Sequence, residues 1–122
     1  MPPSSSSRVL AVVEDLFFTA RISETARLAG LAVDFITDEQ SLLNRAADNP
    51  PLIILDLNAA SLQPLSLIPK LKAAGSQARI LGFLSHVQTG LWKQAQEAGC
   101  DLVLPRSSFT KNLHQILRQY AG

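Results

Sequence analysis

The sequence predicts an α/β protein, a doubly wound sheet of five parallel strands with helices on both faces. Three observations predict it. Short runs rich in Val, Ile and Leu recur five times, each followed by a stretch with apolar residues at helical spacing. Three of the five helical stretches run into a glycine, at Gly30, Gly75 and Gly99. The central run, Leu52 to Leu55, is uninterrupted, as in a strand buried on both faces, and it stops at a single carboxylate, Asp56.

Arg8 to Val13 is a Val-rich strand that ends at Glu14-Asp15. Phe18, Ile22, Ala26 and Ala29 then mark the inner face of a helix closed by Gly30. Leu31 to Ile36 is a second strand, and Asp34 within it suits a sheet edge. Thr37 or Asp38 can cap the next helix, which carries Leu42, Leu43, Ala46 and Ala47. Pro50-Pro51 keeps that helix out of the third strand, and residues 57–63 form a loop. Pro64 opens a helix with Leu67, Ile68, Leu71 and Ala74 on one side. Arg79 to Leu84 is the fourth strand, ending at Ser85. A helix over about 88–98 carries Leu91, Trp92, Ala95 and Ala98. Asp101 to Leu104 is a short fifth strand that ends near Pro105-Arg106. Ser107 or Ser108 caps a last helix, with Phe109, Leu113, Ile116, Leu117 and Tyr120 on one stripe.

The 122 residues suffice for one domain with its own core, expected over 8–122 after a flexible lead-in of residues 1–7. A net charge of +1 supplies no field to draw in nucleic acid or a membrane surface. The single cysteine, Cys100, excludes an internal disulfide and a multi-cysteine zinc site, and a reducing cytoplasm is the simplest compartment. The Pro/Ser-rich start has no apolar segment of the secretory type, and no apolar run approaches a membrane span. No glycine-rich nucleotide loop and no G-x-S-x-G elbow is present.

Parallel strands bring their C-terminal ends to one rim, where ligands bind in open α/β sheets. Here the rim collects Glu14 and Asp15, then Asp56, Ser85 and Arg106. In the expected order 2-1-3-4-5 the first and third strands are neighbours, so three carboxylates share one crevice. Crowded carboxylates repel unless a cation intervenes, and all-oxygen donors suit Mg²⁺. A carboxylate can also act as a nucleophile toward phosphorus. Asp56 would be that nucleophile, Glu14 and Asp15 the metal holders, Ser85 a hydroxyl donor and Arg106 a cation. Each has a plainer reading. Asp56 can cap a loop, acids at a first helical turn favour its dipole, and Arg106 can form a static salt bridge. Trp92 and Cys100 read first as core residues.

Val12-Val13-Glu14-Asp15, Leu55-Asp56, Leu84-Ser85, Ala98-Gly99-Cys100-Asp101 and Arg106 together resemble a response-regulator receiver domain, CheY-like and in an atypical single-domain form. The resemblance covers about Arg8 to Tyr120 and implies a flavodoxin-like three-layer sandwich. It implies Mg²⁺ held by Glu14, Asp15, Asp56 and the backbone carbonyl of Asn58, with Asp56 accepting a phosphoryl group and Ser85 contacting it. It also implies a histidine kinase or phosphotransfer protein as donor, and a downstream protein bound through about residues 88–120. It leaves room for a homodimer. The chain would then be a phosphoacceptor of a two-component phosphorelay rather than a turnover enzyme. Arg106-Ser107 stands where the family usually has Lys-Pro, and bulky His86 follows Ser85. Val103 stands near the place of the usual switch aromatic, and Leu57-Asn58-Ala59-Ala60 replaces the usual loop. These departures define the alternative reading, a pseudo-receiver that binds protein partners without phosphorylation.

Overall fold

A computed structural model of the protein describes residues 8–59, 62–85 and 88–121. The lead-in 1–7 and His86 lie outside the described residues. Five strands and five helices alternate: β1 (Val9–Val12), α1 (Leu16–Leu28), β2 (Val33–Phe35), α2 (Glu39–Ala46), β3 (Leu52–Asp56), α3 (Pro64–Ala73), β4 (Arg79–Leu84), α4 (Thr89–Ala98), β5 (Leu102–Pro105) and α5 (Arg106–Ala121). All strand pairings are parallel, in the order β2-β1-β3-β4-β5, as the sequence predicts.

The period of two along each strand divides the core into two layers. Leu10, Val12, Ile53, Leu55, Ile80 and Leu84 face the layer under α2, α3 and α4. Val9, Ala11, Leu52, Ile54, Leu81 and Phe83 face the layer under α1 and α5. Asp56 continues the alternation of Leu52 and Ile54, so the pleat aims it toward the α1/α5 side.

Gly82 breaks the apolar run of β4 for a steric reason. A Cβ there would come within 2.8 Å of Leu57 Cδ1, and Leu57 is a buried member of the α2–α4 layer. The missing side chain thus makes room for the residue directly after Asp56.

Several boundaries differ from the sequence reading. β2 shortens to three residues, while α3 runs on through Pro69 as the reading has it. Neither Ser107 nor Ser108 caps the last helix. β5 extends to Pro105, which pairs with Leu84, so Arg106 is already the first helical residue and both serines fall inside the first turn. Pro105 is tolerated because β5 is an edge strand. Of the two candidates before α2, Asp38 is the cap, its carboxylate accepting from Ser41 N at 2.9 Å.

Asp34 sits on edge strand β2 and bonds two guanidinium groups. Arg8 Nε donates to its Oδ2 at 2.7 Å, and Arg45 Nη2 donates to the same oxygen. The Arg8 bond is the first cause of a carboxyl held well below the ordinary carboxylate range, against the opposing effect of burial. A charge at the edge also discourages pairing with another chain's strand.

Two outcomes test this frame. Gly82→Ala costs about 1–3 kcal/mol by overpacking, and Leu57→Ala in the same chain removes the clash, so urea midpoints of the two singles and the double are non-additive. For Asp34, a depressed folded pKa gives stability that is complete above the ordinary carboxylate range and is lost as pH falls toward the folded value. The stability gap between wild type and Asp34→Asn is therefore widest at neutral pH and narrows below about pH 4 in denaturant melts.

Candidate functional site

The site forms where β1, β3 and β4 end and α1 and α5 begin. Asp56 is the one buried charged residue among those described, at 5% exposure. It pairs in register with Phe83, and Phe83 stacks on Phe109 with centroids 4.4 Å apart. Phe18 lies against both rings, at 5.2 Å from Phe83 and 6.2 Å from Phe109. The carboxylate thus ends its strand beside an aromatic cluster drawn from α1, β4 and α5. Burial is the main cause pushing its pKa up. Backbone amides of Asn58 and Glu14 donate to it and act the other way, as does the charge of Arg106, while the charge of Glu14 adds to the rise. The Asn58 amide reaches Oδ1 at 3.0 Å.

Asp15 divides its carboxylate between two tasks. Oδ1 caps α1, accepting from Phe17 N at 2.8 Å and from Phe18 N at 3.4 Å. Oδ2 accepts from Arg106 Nη2 at 3.2 Å, which ties the start of α1 to the start of α5 across 91 positions of sequence. The Arg106 guanidinium also stands 4.4 Å over the Phe18 ring, a cation–π geometry. Its Nε–H is buried without a partner among the described residues, so the guanidinium has a donor in reserve.

Glu14 is exposed and lines a cleft with Val13, Leu16, Thr37 and Leu62. Ser85 is exposed at the end of β4, and its backbone N–H donates to Asn58 Oδ1 at 2.7 Å. Asn58 Nδ2 in turn donates to Gln88 Oε1 at 3.1 Å.

The fold therefore gathers Asp56, Glu14, Asp15, Asn58, Ser85 and Arg106 at one rim. It does not converge three acidic side chains on one point: among the described residues no group of three or more His, Cys, Asp or Glu side chains could hold a metal ion. Mg²⁺ is usually held by one or two carboxylates and keeps several waters. Asp56 and Glu14 are the two carboxylates here whose charges act on one another, and they are the pair that could serve such an ion.

The sequence reading missed the side chain of Asn58, its partner Gln88 and the aromatic cluster. The cluster left a signal. Phe18 follows Asp15 by three residues and Phe109 follows Arg106 by three, so each ring shares a first helical turn with a rim side chain. Gln88 left none.

No family model matches the sequence, and no curated protein matches it. Solved structures do match. The receiver domain of sensor histidine kinase PA1611 from Pseudomonas aeruginosa PAO1, with a magnesium ion coordinated in its active-site cleft, aligns with TM-score 0.78 and 19% identity over 94% of this chain and 97% of that one. A CheY-like response-regulator receiver domain protein from Methanospirillum hungatei JF-1 aligns with TM-score 0.77 and 13% identity over 92% and 90%. The beryllofluoride-activated NtrC4 receiver domain dimer aligns with TM-score 0.74 and 17% identity over 93% and 98%. The protein has the CheY-like, flavodoxin-type fold of response-regulator receiver domains.

The electrostatics of Asp56 predict a stability effect opposite in sign to that of Asp34. A carboxyl whose folded pKa is raised loses stability as pH rises from its unfolded value, 3.8, toward the folded one. In EDTA at neutral pH, Asp56→Asn melts a few degrees above wild type, and the gap closes as the pH is lowered through about 4.

Proposed function

We propose that this chain is a receiver-like signalling module over residues 8–122, which accepts a phosphoryl group on Asp56 and signals through protein contacts. The observation that carries the reading is a buried carboxylate at the end of the central strand, with two backbone amides on it and a guanidinium nearby. A carboxylate so desolvated is short of positive charge, and a hard divalent cation supplies it. Asp56 and Glu14 would hold Mg²⁺, with the Asn58 carbonyl as a further oxygen donor and Asp15 beside them. The ion would neutralise charge on the incoming phosphoryl group.

An Asp56 oxygen attacks phosphorus while the bond to the donor's imidazole nitrogen, or to the leaving oxygen of a small acyl phosphate, breaks with its electron pair. The product is a mixed anhydride. The Ser85 hydroxyl and the guanidinium of Arg106, with its reserve N–H, would bond the new phosphoryl oxygens. A histidine kinase or phosphotransfer protein is the donor class. Exposed Leu16 and Phe17, at the start of α1 beside the rim, offer it an apolar contact. Downstream contact falls on about residues 88–120, and a homodimer like that of the NtrC4 receiver is a compatible assembly. No described helix is long and apolar enough to cross a membrane; we place the module in the cytoplasm. It is a phosphoacceptor, not a turnover enzyme.

One observation favours a second reading. Arg106 is already paired with Asp15 and set over Phe18, so the cation is engaged without any phosphate. A pseudo-receiver would keep that arrangement permanently, and its partner binding would ignore Mg²⁺, phosphodonor and Asp56→Asn.

Incubation with Mg²⁺ and a small acyl phosphate, followed by intact-mass measurement, decides between them. The expected result is one added phosphoryl group in wild type and none in Asp56→Ala. An unchanged wild-type mass, with partner binding unaffected by Asp56→Asn, selects the pseudo-receiver.

A further inference from the structure

Asn58 makes three polar contacts that belong to three different parts of the rim. Its backbone N–H donates to Asp56 Oδ1 at 3.0 Å. Its side-chain carbonyl accepts from Ser85 N at 2.7 Å, at the end of β4. Its side-chain amide donates to Gln88 Oε1 at 3.1 Å. Gln88 is the residue that precedes the first turn of α4, and its own carbonyl accepts from Trp92 N at 2.9 Å. A continuous path of hydrogen bonds therefore runs from the Asp56 carboxylate through one residue to the first turn of α4.

The path is specific in its chemistry. The Asn side chain has one acceptor and one donor group, and both are used, the acceptor on a backbone amide and the donor on a side-chain amide oxygen. Among the described residues no side-chain cap bonds the first turn of α4. Val103 of β5, where an aromatic would be needed for a side-chain relay, is a buried aliphatic residue of the α2–α4 layer.

We propose that Asn58 is a positioning residue that couples the state of Asp56 to the placement of Ser85, at the end of β4, and of Gln88, just before the first turn of α4. The inference rests on the reading that Asp56 is the group whose state changes, and it names how that change leaves the site. When the carboxylate binds a cation or becomes the mixed anhydride, the Asn58 amide loses or redirects its acceptor. The side chain then shifts on Ser85 and Gln88, and α4 follows.

Trp92 is the chain's one tryptophan and packs half-buried from α4 against the core, so its emission reports on this helix. The test uses the full chain. Occupation of Asp56 is read by ¹⁹F NMR of bound beryllofluoride with Mg²⁺, and the response of α4 by Trp92 emission and the amide resonances of residues 88–92. The expected result is a Trp92 response in wild type and, at the fluoride occupancy measured in each protein, a response per bound fluoride that is mostly lost in Asn58→Ala. Gln88→Glu, which keeps an acceptor for the Asn58 amide, retains the response, and Gln88→Leu loses it. A residue with only a structural role would lower the melting temperature and leave the response intact.

A second measurement does not need beryllofluoride. Asp56→Asn alone shifts the resonances of residues 88–92, and the same substitution in an Asn58→Ala background does not. Equal responses in the two backgrounds overturn the proposal. Absence of bound fluoride in wild type counts against phosphoryl acceptance instead, and the Asp56/Asn58 cycle then tests the coupling by itself.

Discussion

Desolvation of one carboxylate governs the chemistry of this rim. Asp56 ends the central strand on the same face as Leu52 and Ile54, which makes its burial a consequence of sheet register. The core that stabilises β3 is continuous with the aromatic cluster beside the acid. Removing the acid from water costs free energy, and the fold offsets only part of that with two backbone amides and the field of Arg106. The remaining deficit is a demand for positive charge. It gives Asp56 a reason to attract a cation, and it gives any change in the acid's charge a large effect on its surroundings.

The frame was legible because each element carried its own signal. Uninterrupted Leu-Ile-Ile-Leu before Asp56 identified the central strand, and Asp34 marked the edge strand. Gly99, at the end of α4, adopts φ 119°, where a β carbon is strained, so a glycine after an apolar stripe was a sound stop signal. The start of α5 was less legible. Serine is a strong cap by propensity, but β5 pairs through Pro105 and leaves no room for a cap after it. Convergence at the rim followed from topology alone. The direction of each side chain did not, because Asp15 has a choice between the crevice and the amides of its own helix. The sequence contains both options, and three-dimensional packing decides how its oxygens are used.

Arg106 illustrates how one side chain distributes itself over several contacts. A lysine ammonium is a compact charge on a flexible stem, whereas a guanidinium is a flat fork with five N–H donors. The flat group allows Arg106 to lie over Phe18 while one nitrogen reaches Asp15. It thereby links the first and last helices and still has a buried donor to spare. The same side chain serves the stability of the rim and, in the proposed function, would also bond a new anion. Those two roles compete, since a guanidinium drawn to an anion on Asp56 would weaken its hold on Asp15. Exposure of the Asp15 and Arg106 side chains, near 37% and 36%, keeps the ion pair weak enough for that exchange.

The Asn58 bridge is of a size that suits transmission rather than locking. Two exposed hydrogen bonds at about 0.5–1.5 kcal/mol each give roughly 1–3 kcal/mol, the range of typical allosteric coupling energies. Driving an element from almost wholly one state to almost wholly the other takes about 5.5 kcal/mol. A signal relayed by Asn58 alone therefore biases α4 and leaves both states populated. A buried aromatic swinging between two pockets would give a steeper response, because packed cores resist intermediate positions. Under the proposed coupling, with Val103 a buried aliphatic residue, the response would be graded, and a partner that binds one arrangement of α4 would supply the rest of the free energy by its own differential affinity.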